Sequence, residues 1–217
     1  MKKNLSKKSQ AHQRYRLADG TIVPGVTTIT GLRAKPFLIK WANNLGLEGI
    51  DSDKYTDEKA DIGTLAHYLI LCHLKGEKPV LTEYSEYVTN LAENSFLKYL
   101  AWEKNHKIEP IYLEKQLVSE ELKFGGCIDF YGKIDGQLCL RDFKTSNAIY
   151  PDTFYQLAGY SYLINGKIDS YGILRIGRTE DEGFEERNKS NIDKERVIFR
   201  NLLEIYCLEK AIKNDRL

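Results

Sequence analysis

The stretch from Gly125 to Thr145, Gly-Gly-Cys-Ile-Asp-Phe-Tyr-Gly-Lys-Ile-Asp-Gly-Gln-Leu-Cys-Leu-Arg-Asp-Phe-Lys-Thr, constrains the fold more than any other part of the chain. Two runs rich in β-formers flank Asp135-Gly136, a dipeptide suited to the two-residue type I′ turn because both of its positions need positive φ. That turn sets the register. Ile134 faces Gln137, Phe130 faces Arg141, and the next pair outward is Asp129 with Asp142. Facing residues on neighbouring strands hold their Cβ atoms about 5 Å apart, where like charges destabilise a sheet unless a proton or cation lies between them. Lys144 stands two residues beyond Asp142, so the pleat turns both to the same side.

The predicted product is a compact site of two carboxylates and one ammonium. Two hard oxygen ligands suit Mg²⁺ or Mn²⁺, which retain waters and take further ligands from phosphate, whereas zinc prefers nitrogen and sulfur. Such a site matches hydrolysis of a phosphodiester: the ion polarises phosphate and acidifies water, and the lysine stabilises developing charge. The same letters fit an ordinary exposed hairpin with two hydrated aspartates equally well, so the hairpin alone does not decide.

Around it the pattern alternates. Tyr15 to Thr30 reads as one or two short strands with turns at Asp19-Gly20 and Pro24-Gly25. Helices are predicted from Pro36 to Gly46, Thr56 to Leu74, Ser85 to Asn105, Pro151 to Ile164 and Lys194 to Lys213. Strands are predicted over Ile111–Ser119, Gly126–Lys133, Gln137–Thr145 and Tyr171–Ile176, with the acidic stretch Thr179–Glu186 as a loop. Helices before and after a run of strands imply an α/β sandwich. At 217 residues, with no internal repeat and no linker, residues 1–217 read as a single domain.

Composition removes other classes. With 32 Lys plus Arg against 31 Asp plus Glu, net charge attracts no polyanion, and affinity for one must come from local patches. No apolar run approaches the ~20 residues needed to span a bilayer, and no secretory signal is visible, so a cytoplasmic setting is expected. Cys72, Cys127, Cys139 and Cys207 are never spaced as C-x-x-C, which argues against an iron–sulfur cluster or a zinc ribbon and suggests reduced core thiols. Neither a phosphate loop nor a dinucleotide fingerprint occurs.

Four short motifs stand in order along the chain: Gly63-Thr64-Leu65-Ala66-His67, Gly125-Gly126-Cys127-Ile128-Asp129, Asp142-Phe143-Lys144-Thr145 and Gln156-Leu157-Ala158-Gly159-Tyr160. Together they resemble the G-T-x-x-H, G-G-x-x-D, D-x-K-T and Q-x-x-x-Y signatures of the PD-(D/E)XK nuclease superfamily, in its RecB-like, phage-type exonuclease branch. The resemblance covers about residues 63 to 160. It implies a restriction-endonuclease-like sandwich with a mixed central β-sheet flanked by helices, and a Mg²⁺- or Mn²⁺-dependent DNA exonuclease of phage or bacterial DNA processing and recombination. It implies metal binding by His67, Asp129, Asp142 and the backbone carbonyl of Phe143. Catalytic roles fall on Asp129, Asp142 and Lys144, with Gln156 and Tyr160 organising the nucleophile or the strand. DNA is the expected partner, and a single-strand annealing or other recombination protein a further one. An endonuclease and a catalytically silent DNA-binding or assembly protein are the alternatives.

The pairs Gln156/Tyr160 and Gly63/His67 each fall at i and i+4, so each shares one helical face. His73, six positions from His67, reads as structural, and Glu114 is a secondary candidate for positioning the metal or the lysine. For DNA contacts the candidates are Arg175, Arg178 and Tyr155, with stacking also open to Tyr150 and Phe154. Residues 1–16 are basic and are expected to form a flexible arm able to attract phosphate.

Overall fold

The computed structural model describes residues 14–215. Its centre is a five-stranded sheet in sequence order, β3 (Ile108–Ser119), β4 (Phe124–Ile134), β5 (Gln137–Lys144), β6 (Ser170–Ile176) and β7 (Phe184–Lys189). Neighbours are antiparallel except β5 and β6, whose parallel pairing requires a crossover, supplied by α5 (Pro151–Ser161). Helices cover both faces. On one lie α1 (Val26–Thr30), α5 and α6 (Asp193–Asn214), and on the other α3 (Ser52–Lys75) and α4 (Glu86–Glu103). A short helix, α2 (Pro36–Leu47), and a two-stranded ribbon, β1 (Tyr15–Arg16) with β2 (Ile22–Val23), complete the described elements. The expected α/β sandwich with a mixed central sheet flanked by helices is therefore found.

The central hairpin has the register counted from its turn: Ile134 faces Gln137 and Phe130 faces Arg141, with Asp135 at φ 52° and Gly136 at φ 83°. Strand β5 is buried on both sides from Cys139 to Phe143, which is unusual for a strand carrying Arg141 and Asp142. Opposite it, Ile128 belongs to the core under α5 while Phe130 belongs to the core under α4. Residues two apart in a regular strand share a face, so the strand changes sides at Asp129. Its neighbour does the same at Glu114, which has φ 43°. The β3–β4 ladder pairs Leu113 with Phe130 and Lys115 with Ile128, so both strands change sides at the level between these pairs, where Glu114 and Asp129 stand.

Three expectations are corrected. Val26–Thr30 is helical, although its β-branched residues favour a strand: Val26, Ile29 and Thr30 lie at i, i+3 and i+4 and bury one face beside Gly159 and Phe199. The stretch read as an acidic loop contains β7 from Phe184 onward, whose charged residues suit the exposed side of an edge strand. Cys207 is exposed rather than a core thiol, while Cys72 and Cys139 are buried and all four are free. No helix among the described residues is long and apolar enough to cross a membrane. The basic arm lies, up to residue 13, outside the described residues.

Two glycines of the hairpin make a quantitative contrast. A Cβ on Gly132 would come 2.4 Å from the Glu109 carbonyl oxygen, which is backbone and cannot move aside, whereas one on Gly136 meets nothing and only strains a positive φ. Gly132→Ala is expected to cost about 1–3 kcal/mol and Gly136→Ala about 1 kcal/mol. Urea denaturation midpoints of both variants check the order.

Candidate active site

The site is built where the hairpin ladder gives out. Beyond Phe130 and Arg141 no further pair forms; instead Asp129 turns its Oδ2 to the backbone N–H of Phe143, which donates at 2.9 Å. One carboxylate thereby replaces a ladder acceptor and is fixed against β5. On the other strand Asp142 is 1% exposed, and its ion-pair partner is the Lys144 ammonium at 2.6 Å. Neither Asp142 oxygen accepts a hydrogen bond of good geometry. A buried carboxylate in that condition is costly, and carboxylates so placed recur where a cation or substrate is meant to satisfy them.

The two aspartates are driven apart in acidity. Burial, reinforced by the Asp129 charge, raises Asp142 to about 6 despite the opposing pull of Lys144. Burial acts the same way on Asp129, but the His67 imidazole, Lys144 and the Phe143 N–H outweigh it and hold it below the usual range. Lys144 is raised in spite of burial because both carboxylates favour its charge, so it stays an ammonium at neutral pH. His67 is also raised, with Asp129 and more weakly Glu114 overcoming desolvation.

Each helix reaches the site through a missing Cβ. On α3, a Cβ at Gly63 would lie 3.0 Å from Thr145 Oγ1, so glycine lets the helix close on the end of β5. One turn later His67 Nδ1 stands 3.6 Å from Asp129 Oδ2, with its ring edge-on to Phe143 at 5.9 Å between centroids. On α5, Gln156 Nε2 donates to the Tyr160 hydroxyl at 2.7 Å. Tyr160 lies against Gly126, where a Cβ would come within 2.8 Å of the ring. Burial and then the two aspartates push its pKa well above the ordinary phenol. His67, Asp129, Asp142, Lys144, Gln156 and Tyr160 are thus brought together by four elements.

Tyr15 belongs to the same environment and was not legible in the sequence. Its side chain packs so closely on Gly125 that a Cβ there would lie 2.5 Å from the Tyr15 ring, and burial, then Cys127 and Asp129, push its hydroxyl to about 12. The one available signal was the Gly125-Gly126 pair, which announces close approach from outside the strand without saying what approaches. Glu114 lines a small cavity with His67, Asp129 and Phe143, consistent with its secondary candidacy. His73 pairs with Glu103 at 2.5 Å and packs on Phe96 and Tyr99, as the structural reading expects.

The arginines are placed differently. Arg175 is buried, with Nε 3.3 Å from Glu185 Oε2 and Nη1 donating to the Glu182 carbonyl. Arg178 is held by Glu182, from its backbone N–H at 2.6 Å and from its guanidinium. Arg175 is thus engaged by Glu185 of β7 and the Glu182 carbonyl, and Arg178 by the Glu182 carboxylate in the connection between β6 and β7. Tyr155 lies under the Arg33 guanidinium, 4.8 Å from its centroid. A cleft of about 530 Å³ opens beside Lys144 and Gln156 and runs past Arg33, Lys35, Phe37 and Tyr150.

Among the described residues no three His, Cys, Asp or Glu side chains form a ready cage for a metal ion. What the site offers is narrower and fits a hard divalent cation: two carboxylates, one of them buried with only the Lys144 ammonium against it, and a neighbouring imidazole. A cation would offset the desolvation that raises Asp142.

No protein family matches the chain, and no curated protein does. Solved structures with some likeness include LHK-Exo in complex with dAMP, at TM-score 0.41 and 13% identity over 73% of this chain and 88% of that one. Another is an alkaline exonuclease (LHK-Exo) from Laribacter hongkongensis, at TM-score 0.35 and 16% identity over 71% of this chain and 91% of that one. A third, SSO0001, gives TM-score 0.33 and 13% identity over 68% of this chain and 72% of that one. Likeness at this level carries no functional argument.

The raised pKa of Asp142 has a thermodynamic consequence. Because the folded value, about 6, exceeds the 3.8 of an ordinary aspartate, the folded state binds the proton more tightly, and stability falls as pH rises through that window. Asp142→Asn removes the buried charge, at the expense of Lys144's partner. In EDTA at pH 7.5 the variant is expected to be more stable by about 1–2 kcal/mol, a few degrees in Tm, with the gain gone near pH 4. Thermal melts at the two pH values decide it; a variant less stable at both would show that the ion pair outweighs the desolvation.

Proposed function

We propose that this chain is a divalent-metal-dependent deoxyribonuclease of the PD-(D/E)XK superfamily, RecB-like branch, acting as an exonuclease in DNA processing or recombination. The observation that carries the reading is the Asp142 carboxylate, buried at the end of a central strand beside Asp129, with the Lys144 ammonium as its ion-pair partner and no hydrogen bond of good geometry. The four ordered motifs support it, because their residues converge on that carboxylate and their glycines are what allow the convergence.

Asp129, Asp142, the Phe143 carbonyl and His67 would hold Mg²⁺ or Mn²⁺. Bound there, the ion supplies Lewis acidity at the phosphate and a water of lowered pKa. The chain's own groups account for the rest. Lys144, an ammonium at neutral pH, stabilises the negative charge that grows on the phosphoryl oxygens. Asp129, kept ionised, and His67 form a fixed wall on the α3 side. Tyr160 stays a neutral phenol and accepts from Gln156, which leaves its own proton to be donated toward the reacting groups. A single-strand annealing or other recombination protein is the partner that fits this role, in the cytoplasm.

End-labelled linear single-stranded and double-stranded DNA, beside closed circles, tests the proposal with Mg²⁺ present. Linear substrates are expected to be degraded and circles spared. Asp142→Asn and Lys144→Ala are each expected to lose about 10²–10³-fold in rate. Cutting of circles would make the enzyme an endonuclease, and no cleavage of any DNA with Mg²⁺ or Mn²⁺ would overturn the nuclease reading.

A further inference from the structure

Helix α2 is an anomaly in this fold. It contains no buried residue, yet Phe37, Leu38, Ile39 and Leu47 are 56%, 42%, 75% and 80% exposed, with Trp41 at 37%. Water-facing apolar surface on that scale usually marks a binding site. From Thr21 to Leu47 the sequence holds Arg33, Lys35 and Lys40 and no acid, with Glu48 the next charge along the chain and Asp152 on the cleft wall.

Its rings are arranged rather than scattered. Phe37 stacks on Tyr150 at 6.2 Å and 11°, joining α2 to the N-terminus of α5, and both line the cleft that begins at Lys144. Trp41 meets Tyr55 edge-on at 6.0 Å, and Lys59 lies over the Tyr55 ring. Arg33 lies over Tyr155 on the same cleft wall. Lys35 is paired with Asp152 at 2.5 Å, while Arg33 lies on the cleft wall and Lys40 is exposed on α2.

We propose that the cleft and the exposed face of α2 form a binding platform for an unpaired nucleic-acid strand, with Phe37 and Tyr150 stacking its bases and Arg33 and Lys40 meeting its phosphates. Aromatic faces interleaved with cations are what a single strand requires. In a duplex the bases stack on one another and are closed to such rings, so the platform selects unpaired strand over double helix. The cations beside these rings, Arg33 over Tyr155 on the cleft wall and Lys40 on α2, favour an occupant that carries phosphates over an apolar protein helix. Continuity with Lys144 gives the strand a direction, from platform into site. The inference rests on the nuclease reading for its destination, not for its binding step.

The test is therefore run without turnover. Fluorescence anisotropy of the full chain in EDTA compares a labelled oligothymidine with a blunt duplex. The single strand is expected to bind about tenfold more tightly or better. Phe37→Ala combined with Tyr150→Ala should erase that preference, Phe37→Tyr, which keeps the ring, should retain it, and Arg33→Ala with Lys40→Ala should flatten the salt dependence. All four positions are at least partly exposed, and melts confirm folding.

Equal affinity for both DNAs, or single-strand binding indifferent to the rings, would overturn the platform. So would a sedimentation change showing that the α2 variants merely dissociate a dimer. Cleavage of DNA with ring-independent binding would sink this inference alone; ring-dependent binding with no cleavage would sink the nuclease reading alone.

Discussion

An ionised carboxylate that cannot reach water must be answered by positive charge, and Asp142 obliges the neighbouring parts of the structure to answer it. Its strand is central and covered on both faces, so the charge cannot be relieved by small movements. Lys144 supplies part of the answer from the same strand, while Asp129 makes the demand larger. The result is a local excess of negative potential enclosed in a low dielectric, where electrostatic effects are stronger than at a surface. Holding such a group in place needs a stiff support, and the packed cores on either side of β5 provide it.

The irregularity at Asp129 serves the same end. A regular hairpin would have continued its ladder and spent the backbone of Phe143 on β4. By letting the strand change sides, the chain frees Asp129 to take over as acceptor for that N–H, which locks the carboxylate's orientation. Glu114 shows the matching disturbance on β3, with a positive φ that a glutamate adopts only under constraint. Two adjacent strands thus give up regularity at one level of the sheet, and that level is where the polar groups gather.

Much of this was legible from short-range patterns. Asp135-Gly136 specifies its turn through local backbone sterics alone, and counting from it gave the correct facing pairs out to Phe130 and Arg141. The i, i+4 spacing put His67 on the face that Gly63 brings to Thr145, and Gln156 beside Tyr160. What escaped depends on distant contacts. Tyr15 is more than a hundred residues from the glycine it covers, and nothing nearby announces the pairing. Helix α1 is made of strand-forming residues and is helical because of what it packs on, while β7 is a strand because β6 offers it an edge. Arg175 and Arg178 were read as phosphate ligands from their position at a strand end, but Glu182 from the next connection and Glu185 from β7 claim them first.

The two-residue turn at Asp135-Gly136 also acts as a ruler. From it the chain measures out to Asp142 along one strand and to Asp129 along the other, and side chains alternate faces at every step. An insertion or deletion of one residue between Gly136 and Cys139 would leave the sheet hydrogen-bonded yet exchange its two sides along β5. Arg141 and Phe143 would then point into the cleft, and Asp142 and Lys144 into the aromatic core around Tyr99 and Trp102. Length in this turn is therefore expected to be intolerant of change, even though the turn is exposed and remote from the chemistry it calibrates.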